Sequence, residues 1–209
     1  MKAYLSNNLN YFNFPVFLYI IIGLAFPLFF EKGFEITLLI EHYDALLNTF
    51  FSIMTKFAEW QGILVFAVIV LYFNRSKSFP FALAILLSFA LVTFLKRIAF
   101  PSSPRPRLWA AEQNIQVPEI ASTLMHYSFP SGHSALAVCM FFCLSVLFNN
   151  RVLSFLFACI AMLVVFSRVY IMAHFLIDTA IGALVGLFLG ILGNYVFDIY
   201  RLKNERPTQ

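Results

Sequence analysis

The sequence alternates between six apolar runs and shorter polar segments, and this alternation is its dominant pattern. An uncharged helix of about 20 residues is long enough to cross the hydrocarbon core of a bilayer. The six runs cover residues 14–30, 60–73, 79–95, 130–148, 152–166 and 175–197. The pattern predicts an all-α fold, a bundle of six transmembrane helices.

Two of the polar segments are long enough to contain structure of their own. After the first run, apolar residues recur at helical spacing, which predicts an amphipathic helix on the membrane surface. These residues are Leu46, Leu47, Phe50, Phe51 and Met54. Residues 98–131 include Pro101, Pro104, Pro106 and Pro118, which forbid a continuous helix, so we expect a solvated loop there.

The amino-acid composition is that of a membrane protein and does not favour nucleic-acid binding. Of the 209 residues, 61% are hydrophobic and only 11% are charged, and the mean hydropathy is +0.84. Average soluble domains carry about 25% charged residues, so we expect an integral membrane protein. The length suits a single domain over residues 1–209. The formal net charge is +4, and the scattered Lys and Arg residues do not indicate nucleic-acid binding.

Small and sulfur-containing residues inside the runs are assigned to packing. The three cysteines have no metal-ligand His beside them, and we expect free thiols rather than disulfides. In the last run, Gly182, Gly186 and Gly190 repeat every four residues. Small residues on one face let helix backbones approach closely in lipid, so we expect a tight helix contact along this face.

Six spans would place both termini on the same side of the membrane. Outside the candidate site, basic residues outweigh acidic residues more strongly on that side, so the positive-inside rule puts the termini in the cytoplasm. Residues 96–107, 129–133 and 167–178 then meet at the opposite face. We therefore expect a protein of the bacterial cytoplasmic (inner) membrane whose site faces the periplasm or the exterior.

The segment 167–178 places Arg168, His174 and Asp178 between two apolar runs. On a helix, His174 and Asp178 stand at i and i+4 and share one face. The carboxylate can accept a hydrogen bond from one imidazole nitrogen, which leaves the other nitrogen as a nucleophile. A buried salt bridge, or side chains that extend to the membrane interface, would explain these residues equally well on their own.

The other two polar segments of this face supply groups that suit an anion. The motif PSGH at residues 130–133 opens an apolar run, and free amides at a helix N-terminus bind anions. Arg105 and Arg168 can each contact phosphate oxygens through two N–H groups, and Lys96 adds a point charge. Taken separately, the motif could be an ordinary helix start, and the basic loop could bind lipid head groups. Their convergence indicates a functional site with surplus positive charge.

These motifs resemble those of the type 2 phosphatidic acid phosphatase (PAP2) family. Pro130-Ser131-Gly132-His133 resembles its second motif, Ser167-Arg168-x5-His174-x3-Asp178 its third, and Lys96 with Arg105-Pro106 its first. The resemblance covers residues 79–198, with topology shared before that. The family usually has six residues between the Lys and the Arg-Pro of its first motif. This chain has eight, so Arg97, with seven, is an alternative cation.

The resemblance implies a two-step phosphoryl transfer with no metal and no cofactor. His174 would attack phosphorus and become a phosphohistidine while Asp178 holds its ring. His133 would protonate the leaving oxygen and then activate water. Phosphate contacts would come from Lys96, Arg105, Arg168 and the amides of Ser131 and Gly132. The sequence also lacks an acidic cluster suited to Mg²⁺. Arg107 and His126 could contact a head group or could simply be solvated.

The expected function is therefore an integral membrane lipid phosphatase that acts on a phosphate monoester or a pyrophosphate. Candidate substrates are phosphatidic acid, phosphatidylglycerophosphate, undecaprenyl pyrophosphate and lipid A; membrane lipids are the other expected partners, and the oligomeric state is left open. One alternative is a non-catalytic carrier of an anionic lipid or phosphate, which needs no acid/base pair. Another is a vanadium-dependent haloperoxidase, but those relatives are soluble and lack six apolar runs.

Overall fold

The described part of the chain is helical wherever it forms regular structure. The computed structural model describes residues 7–118 and 122–204, and no β-strand occurs within those ranges. The α-helices there are α1 (Asn10–Phe29), α2 (Phe34–Glu41), α3 (Ala45–Thr55), α4 (Trp60–Phe73), α5 (Ser78–Phe94), α6 (Pro106–Glu112), α7 (Gly132–Phe148), α8 (Arg151–Tyr170) and α9 (Leu176–Asn204). The predicted all-α class is confirmed. Residues 119–121 of the predicted loop lie outside the described ranges.

Four helical segments in the described ranges are long and apolar enough to cross a membrane alone, which makes the chain an integral membrane protein. They are Asn7–Phe29, Arg75–Ala99, Arg151–Tyr170 and Leu176–Arg201. A fifth span results if Ala45–Ala58 and Trp60–Phe73 are counted together as one bent span. The six predicted spans are therefore not all found. One reason is that α4 has 14 residues, a length of about 21 Å against a core of about 30 Å.

The remaining predicted span corresponds to α7, a helix of 17 residues at the centre of the bundle. It packs mainly against α9 and α8 and also against α5. Every residue from Ser134 to Val146 is buried. Because its neighbours are other helices rather than lipid, its length is not set by the thickness of the hydrocarbon core.

The glycine face of α9 allows close contact with α7. A Cβ atom on Gly182 would lie 2.4 Å from the carbonyl oxygen of Ser131, and one on Gly186 would lie 2.1 Å from that of Ala135. These distances are shorter than van der Waals contact, so only glycine fits at this separation of the backbones. The predicted packing role of these glycines is confirmed.

The segment between α1 and α4 differs from the predicted surface helix. One side of α3 packs against α8, where Phe51 contacts the rings of Phe166 and Tyr170. At Glu59 the chain bends by 54° from the α3 segment into α4. Leu46 is exposed on the outer side of α3. The apolar spacing therefore reflects a helix with one side packed against the bundle and the other side exposed, rather than one lying only on the surface.

Residues 98–118 and 122–131 form a short helix and backbone hydrogen bonds that a solvated loop would lack. Pro106 begins α6, where its missing N–H is not needed by the helix. The amide of Arg105 donates to the Met125 carbonyl at 2.9 Å, and that of Ser128 donates to the Ser103 carbonyl at 3.2 Å. The two halves of the segment thus bind each other across the end of the bundle at which α5 and α8 end and α7 and α9 begin. We call this the polar end.

Candidate active site

His174 lies in the five-residue turn that joins α8 to α9 at the polar end. Its backbone amide and that of Ala173 both donate to the Arg168 carbonyl at 3.0 Å, which folds the turn back onto the end of α8. Met172, in the same turn, has a positive φ of 53°. The His174 residue is only 1% exposed. The turn therefore holds an imidazole inside the protein rather than in solvent.

A serine lies between the two residues that the sequence pairs directly. The hydroxyl of Ser128 donates to Asp178 Oδ2 at 2.5 Å and lies 3.3 Å from His174 Nδ1. The distance from His174 Nδ1 to Asp178 Oδ2 is 3.6 Å, longer than a hydrogen bond. Asp178 is therefore connected to the imidazole through Ser128 as well as through space.

Asp178 also fixes the start of α9. Its Oδ2 accepts a hydrogen bond from the Phe175 amide at 3.1 Å, in the manner of a capping carboxylate in the first helical turn. The Oε1 atom of Glu35 on α2 accepts from the Leu176 amide, also at 3.1 Å. Burial raises the pKa of Glu35. Two carboxyl groups therefore position the helix end that carries Asp178.

The PSGH motif is attached to α9 through its backbone. The amide of Ser131 donates to the Asp178 carbonyl at 2.9 Å, and the Ser131 hydroxyl caps α7 by accepting from the Ser134 amide. The Ser131 N–H is thus bonded to a carbonyl, and a contact between Ser131 and phosphate stays a prediction. The bond places His133 and Asp178 at the same end of the bundle. Gly132 is the first residue of α7.

Arg105 binds the backbone of the surrounding segments. Its Nε donates to the His126 carbonyl at 2.9 Å, its Nη1 to the Ala173 carbonyl at 3.0 Å, and its Nη2 to the Tyr127 carbonyl at 3.4 Å. A guanidinium has five N–H groups, so two remain for another acceptor. Arg105 therefore ties the loop to the residue just before His174. The side chain of His126 itself is exposed.

Lys96 and Arg97 lie in a π-helical turn at Leu95–Ala99 that ends the α5 segment. Lys96 is half-buried and its Nζ donates to the Tyr127 carbonyl at 2.9 Å, whereas Arg97 is exposed. A π turn adds one residue to a helical turn, which changes the side chain that faces inward. The structure therefore places Lys96, rather than Arg97, beside Arg105.

Arg168 reaches the polar end from the last turn of α8. It is 8% exposed, and its Nη1 donates to Thr55 Oγ1 at the end of α3 at 2.5 Å. Its Nε is buried and has no hydrogen-bond partner. A buried guanidinium N–H without an acceptor is costly and therefore uncommon. This donor is available to an anion.

His133, one residue into α7, faces a different environment. Its Nε2 lies 3.8 Å from Glu59 Oε1 at the bend between α3 and α4, and the two side chains are 31% and 35% exposed. A cavity of about 220 Å³ lies beside it. The lining is mostly apolar and consists of Ala58, Ser88, Phe89, Val92, Thr93, Gly132, His133 and Leu136. An apolar cavity thus leads to this imidazole from between α5 and α7.

Arg105, Lys96 and Arg168 are close enough to the two imidazoles to act on them electrostatically. Burial lowers the pKa of His174 well below its usual range, and Arg105, Lys96 and Arg168 lower it further. The lowered pKa favours the neutral imidazole, in which one ring nitrogen retains its lone pair. Within the described ranges, no group of three His, Cys, Asp or Glu side chains is placed to hold a metal ion.

Four residues at this end were not found from the sequence. Ser128 lies three positions before Ser131, and only its proximity to a motif could have indicated it. Thr55, Glu35 and Glu59 come from segments before residue 77, where no motif marks them. Their contacts depend on how α2, α3 and α4 pack against α8 and α9.

The separate comparisons with known proteins agree with one another. Residues 77–201 match the family model of the PAP2 superfamily. A segment of 80 residues is 32% identical to lipid A 4'-phosphatase from Porphyromonas gingivalis. That alignment covers 38% of this chain and 33% of the relative, so the chain spans about a third of the length of the curated protein it matches.

Two crystal structures resemble the fold. LpxE from Aquifex aeolicus superimposes with a TM-score of 0.66 at 27% identity, over 75% of this chain and 90% of that one. A PAP2-type phosphatidylglycerolphosphate phosphatase from Bacillus subtilis superimposes with a TM-score of 0.52 at 22% identity, over 95% and 100%. The second similarity concerns the fold alone.

Proposed function

The chain belongs to the PAP2 superfamily, and from this premise we propose that it is an integral membrane lipid phosphatase working through a phosphohistidine on His174. The proposal places it in the bacterial inner membrane with the polar end towards the periplasm. The name of the Porphyromonas gingivalis relative favours a lipid A type phosphate among the candidate substrates. Phosphatidic acid, phosphatidylglycerophosphate and undecaprenyl pyrophosphate remain in the set.

The observation that carries the proposal is the buried, unpartnered Nε of Arg168 beside two imidazoles of unequal exposure. An orphaned guanidinium donor suits a phosphoryl oxygen, which accepts strong, charge-assisted hydrogen bonds. Lys96 and the two remaining N–H groups of Arg105 add positive charge from the opposite segment. Positioned cations of this kind stabilise the charge that develops on a transferring phosphoryl group.

In the first step, His174 Nε2 attacks phosphorus and the bond to the lipid oxygen breaks. Ser128 has a single proton and donates it to Asp178, so its oxygen is left to accept from His174 Nδ1–H. This arrangement selects the tautomer in which Nε2 carries the lone pair. Asp178 then stabilises the positive charge that the imidazole gains when the N–P bond forms.

His133 completes the reaction from the leaving-group side. It gives a proton to the departing lipid oxygen, so the lipid leaves as an alcohol. It then takes a proton from the water that attacks the phosphohistidine, which releases inorganic phosphate and restores His174. The partial exposure of His133 supports this role, because an acid/base group must exchange its proton with water.

The apolar cavity beside His133 supports a lipid as the leaving group. Its volume of about 220 Å³ is formed by α5, α7 and the bend before α4. A lipid could keep its tails in the bilayer while its phosphate reaches Arg168 between the helices. A carrier of anionic lipid would use the same cations, but it has no need for the Ser128–Asp178 orientation of a buried imidazole.

The proposal is tested by measuring phosphate release from the four candidate lipids with purified protein in detergent micelles. Wild-type protein should release phosphate from at least one lipid, vanadate should inhibit by mimicking pentacoordinate phosphorus, and EDTA should have no effect. Tight binding of a lipid phosphate without turnover would favour a carrier. Loss of activity with EDTA would refute the metal-independent mechanism.

A further inference from the structure

Glu59 is a carboxylate that the proposed phosphoryl transfer does not use, although it stands next to the proposed acid/base residue. Its Oε1 lies 3.8 Å from His133 Nε2, and it is also within electrostatic reach of Arg168. It lies outside residues 77–201, so the family match does not account for it. The other charged groups facing His133 are cations: Arg168, Lys96 and Arg105.

The position of Glu59 corresponds to the leaving-group side of the reaction. In an in-line displacement, the attacking and departing atoms lie on opposite sides of phosphorus. His174 attacks from the buried side, so the departing oxygen faces His133 and the apolar cavity. Ala58, next to Glu59 in the chain, lines that cavity. The carboxylate therefore lies near the group attached to the scissile oxygen.

Lipid phosphate monoesters and lipid pyrophosphates differ in the charge of the leaving group. A monoester breaks its P–O bond and the electron pair goes to an alcohol oxygen, which takes a proton from His133 and leaves neutral. A pyrophosphate breaks its bridging P–O bond and the lipid phosphate leaves as an anion with at least one negative charge. A carboxylate at the leaving-group side repels the anion but not the alcohol.

We propose that Glu59 selects against lipid pyrophosphates, which makes this chain a phosphatase for lipid phosphate monoesters. The inference rests on the proposed phosphatase function and narrows its substrate class. Glu59 discriminates through charge at the leaving group, whereas Arg168, Arg105 and Lys96 bind the phosphoryl group that both classes share.

The test compares two substrates with the same tails, phosphatidic acid and diacylglycerol pyrophosphate. With purified full-length protein in detergent, wild-type kcat/KM should be higher for phosphatidic acid. Glu59→Gln should raise the ratio of diacylglycerol pyrophosphate to phosphatidic acid hydrolysis about tenfold. A buried carboxylate would have a larger effect, because water screens the charge of the partly exposed Glu59. Glu59→Asp, which keeps the charge, should leave the ratio within about threefold of wild type.

The controls distinguish a failure of the inference from a failure of the proposed function and from misfolding of the variant. Glu41→Gln removes an exposed carboxylate at the end of α2 and should not change the ratio. If Glu59→Gln does not fold, Glu59→Ser removes the same charge and should give the same shift. An unchanged ratio in a folded, active charge-removing variant overturns the inference alone. Wild-type protein that hydrolyses neither of these two lipids nor any of the other candidate lipids overturns the proposed function and the inference with it.

Discussion

The two histidines of the site occupy contrasting surroundings. On the nucleophile side, His174 and Asp178 are 2% and 5% exposed in their side chains, and Ser128 lies between them. On the leaving-group side, His133 and Glu59 are 31% and 35% exposed and separated by 3.8 Å. The difference agrees with the proposed mechanism, in which the nucleophile is held in one orientation and the acid/base group keeps access to water.

The largest expected effect comes from removing each imidazole. His174→Ala should abolish both phosphate release and any acid-labile phosphoenzyme, because it removes the nitrogen that is proposed to attack phosphorus. His133→Ala should slow turnover of a phosphate monoester about 10²- to 10⁴-fold, the usual contribution of acid/base catalysis. Phosphate release and trapping with radiolabelled lipid measure both effects. Full activity in either variant, with normal elution in detergent, would contradict the assignment.

Arg168→Gln should give the next largest loss. Removing a donor that stabilises transition-state charge lowers kcat about 10²- to 10³-fold. Because Arg168 also binds Thr55, the variant needs a stability measurement alongside its kinetics. Arg75→Gln, an exposed cation in the turn between α4 and α5, serves as the matched control. Equal kcat in the Arg168 variant and this control would remove Arg168 from the site.

Ser128→Ala tests whether the nucleophile side depends on orientation. Loss of a hydrogen bond to a charged group should lower kcat about 10- to 100-fold with little change in KM. In ¹⁵N NMR spectra, the fraction of His174 protonated at Nδ1 should fall. Ser145→Ala removes another buried hydroxyl, bonded only within α7, and should change neither quantity. An unchanged His174 tautomer would show that Ser128 has only a packing role.

Gly182→Ala should weaken the packing of α7, which carries His133, against α9, which carries Asp178. The added Cβ would meet the Ser131 carbonyl at 2.4 Å, so α7 and α9 must separate. Overpacking of this kind costs about 1–3 kcal/mol and should lower the thermal midpoint in detergent. It should also reduce the activities that depend on His133 and His174 together. Leu184→Ala, at an exposed position on α9, is the comparison; equal stability of the two variants would argue against the close contact.

The smallest expected effect is the dependence of thermal stability on pH. An unfolded His titrates near pH 6.5, whereas burial and nearby cations hold the pKa of folded His174 well below that value. Below about pH 6.5 the unfolded chain therefore binds more protons, and stability should fall as pH falls. Thermal midpoints between pH 7.5 and 5.5 should decrease, and decrease less in His174→Gln. An identical pH dependence in both proteins would mean that His174 charges readily when folded.

Part of this site could be predicted because its geometry is local. The spacing of His174 and Asp178 and the helix start at Ser131–Gly132 depend on adjacent residues, and both motifs do lie at the same end of the bundle. The bond of the Ser131 amide to the Asp178 carbonyl could not be predicted, because it joins residues 47 positions apart. The choice between Lys96 and Arg97 depended on a π turn that no residue type in the segment specifies.

By itself, the sequence determined an all-α membrane protein and predicted that two histidines and a carboxylate lie at one end of it, because hydrophobic runs and short motifs are properties of neighbouring residues. Only the tertiary structure decided that α7 is enclosed by other helices, that Ser128 stands between His174 and Asp178, and that Glu59 faces His133. Each of these contacts joins segments distant in sequence. They form only when the glycine face of α9 lets the backbones approach and the α3–α4 bend brings a carboxylate to the polar end.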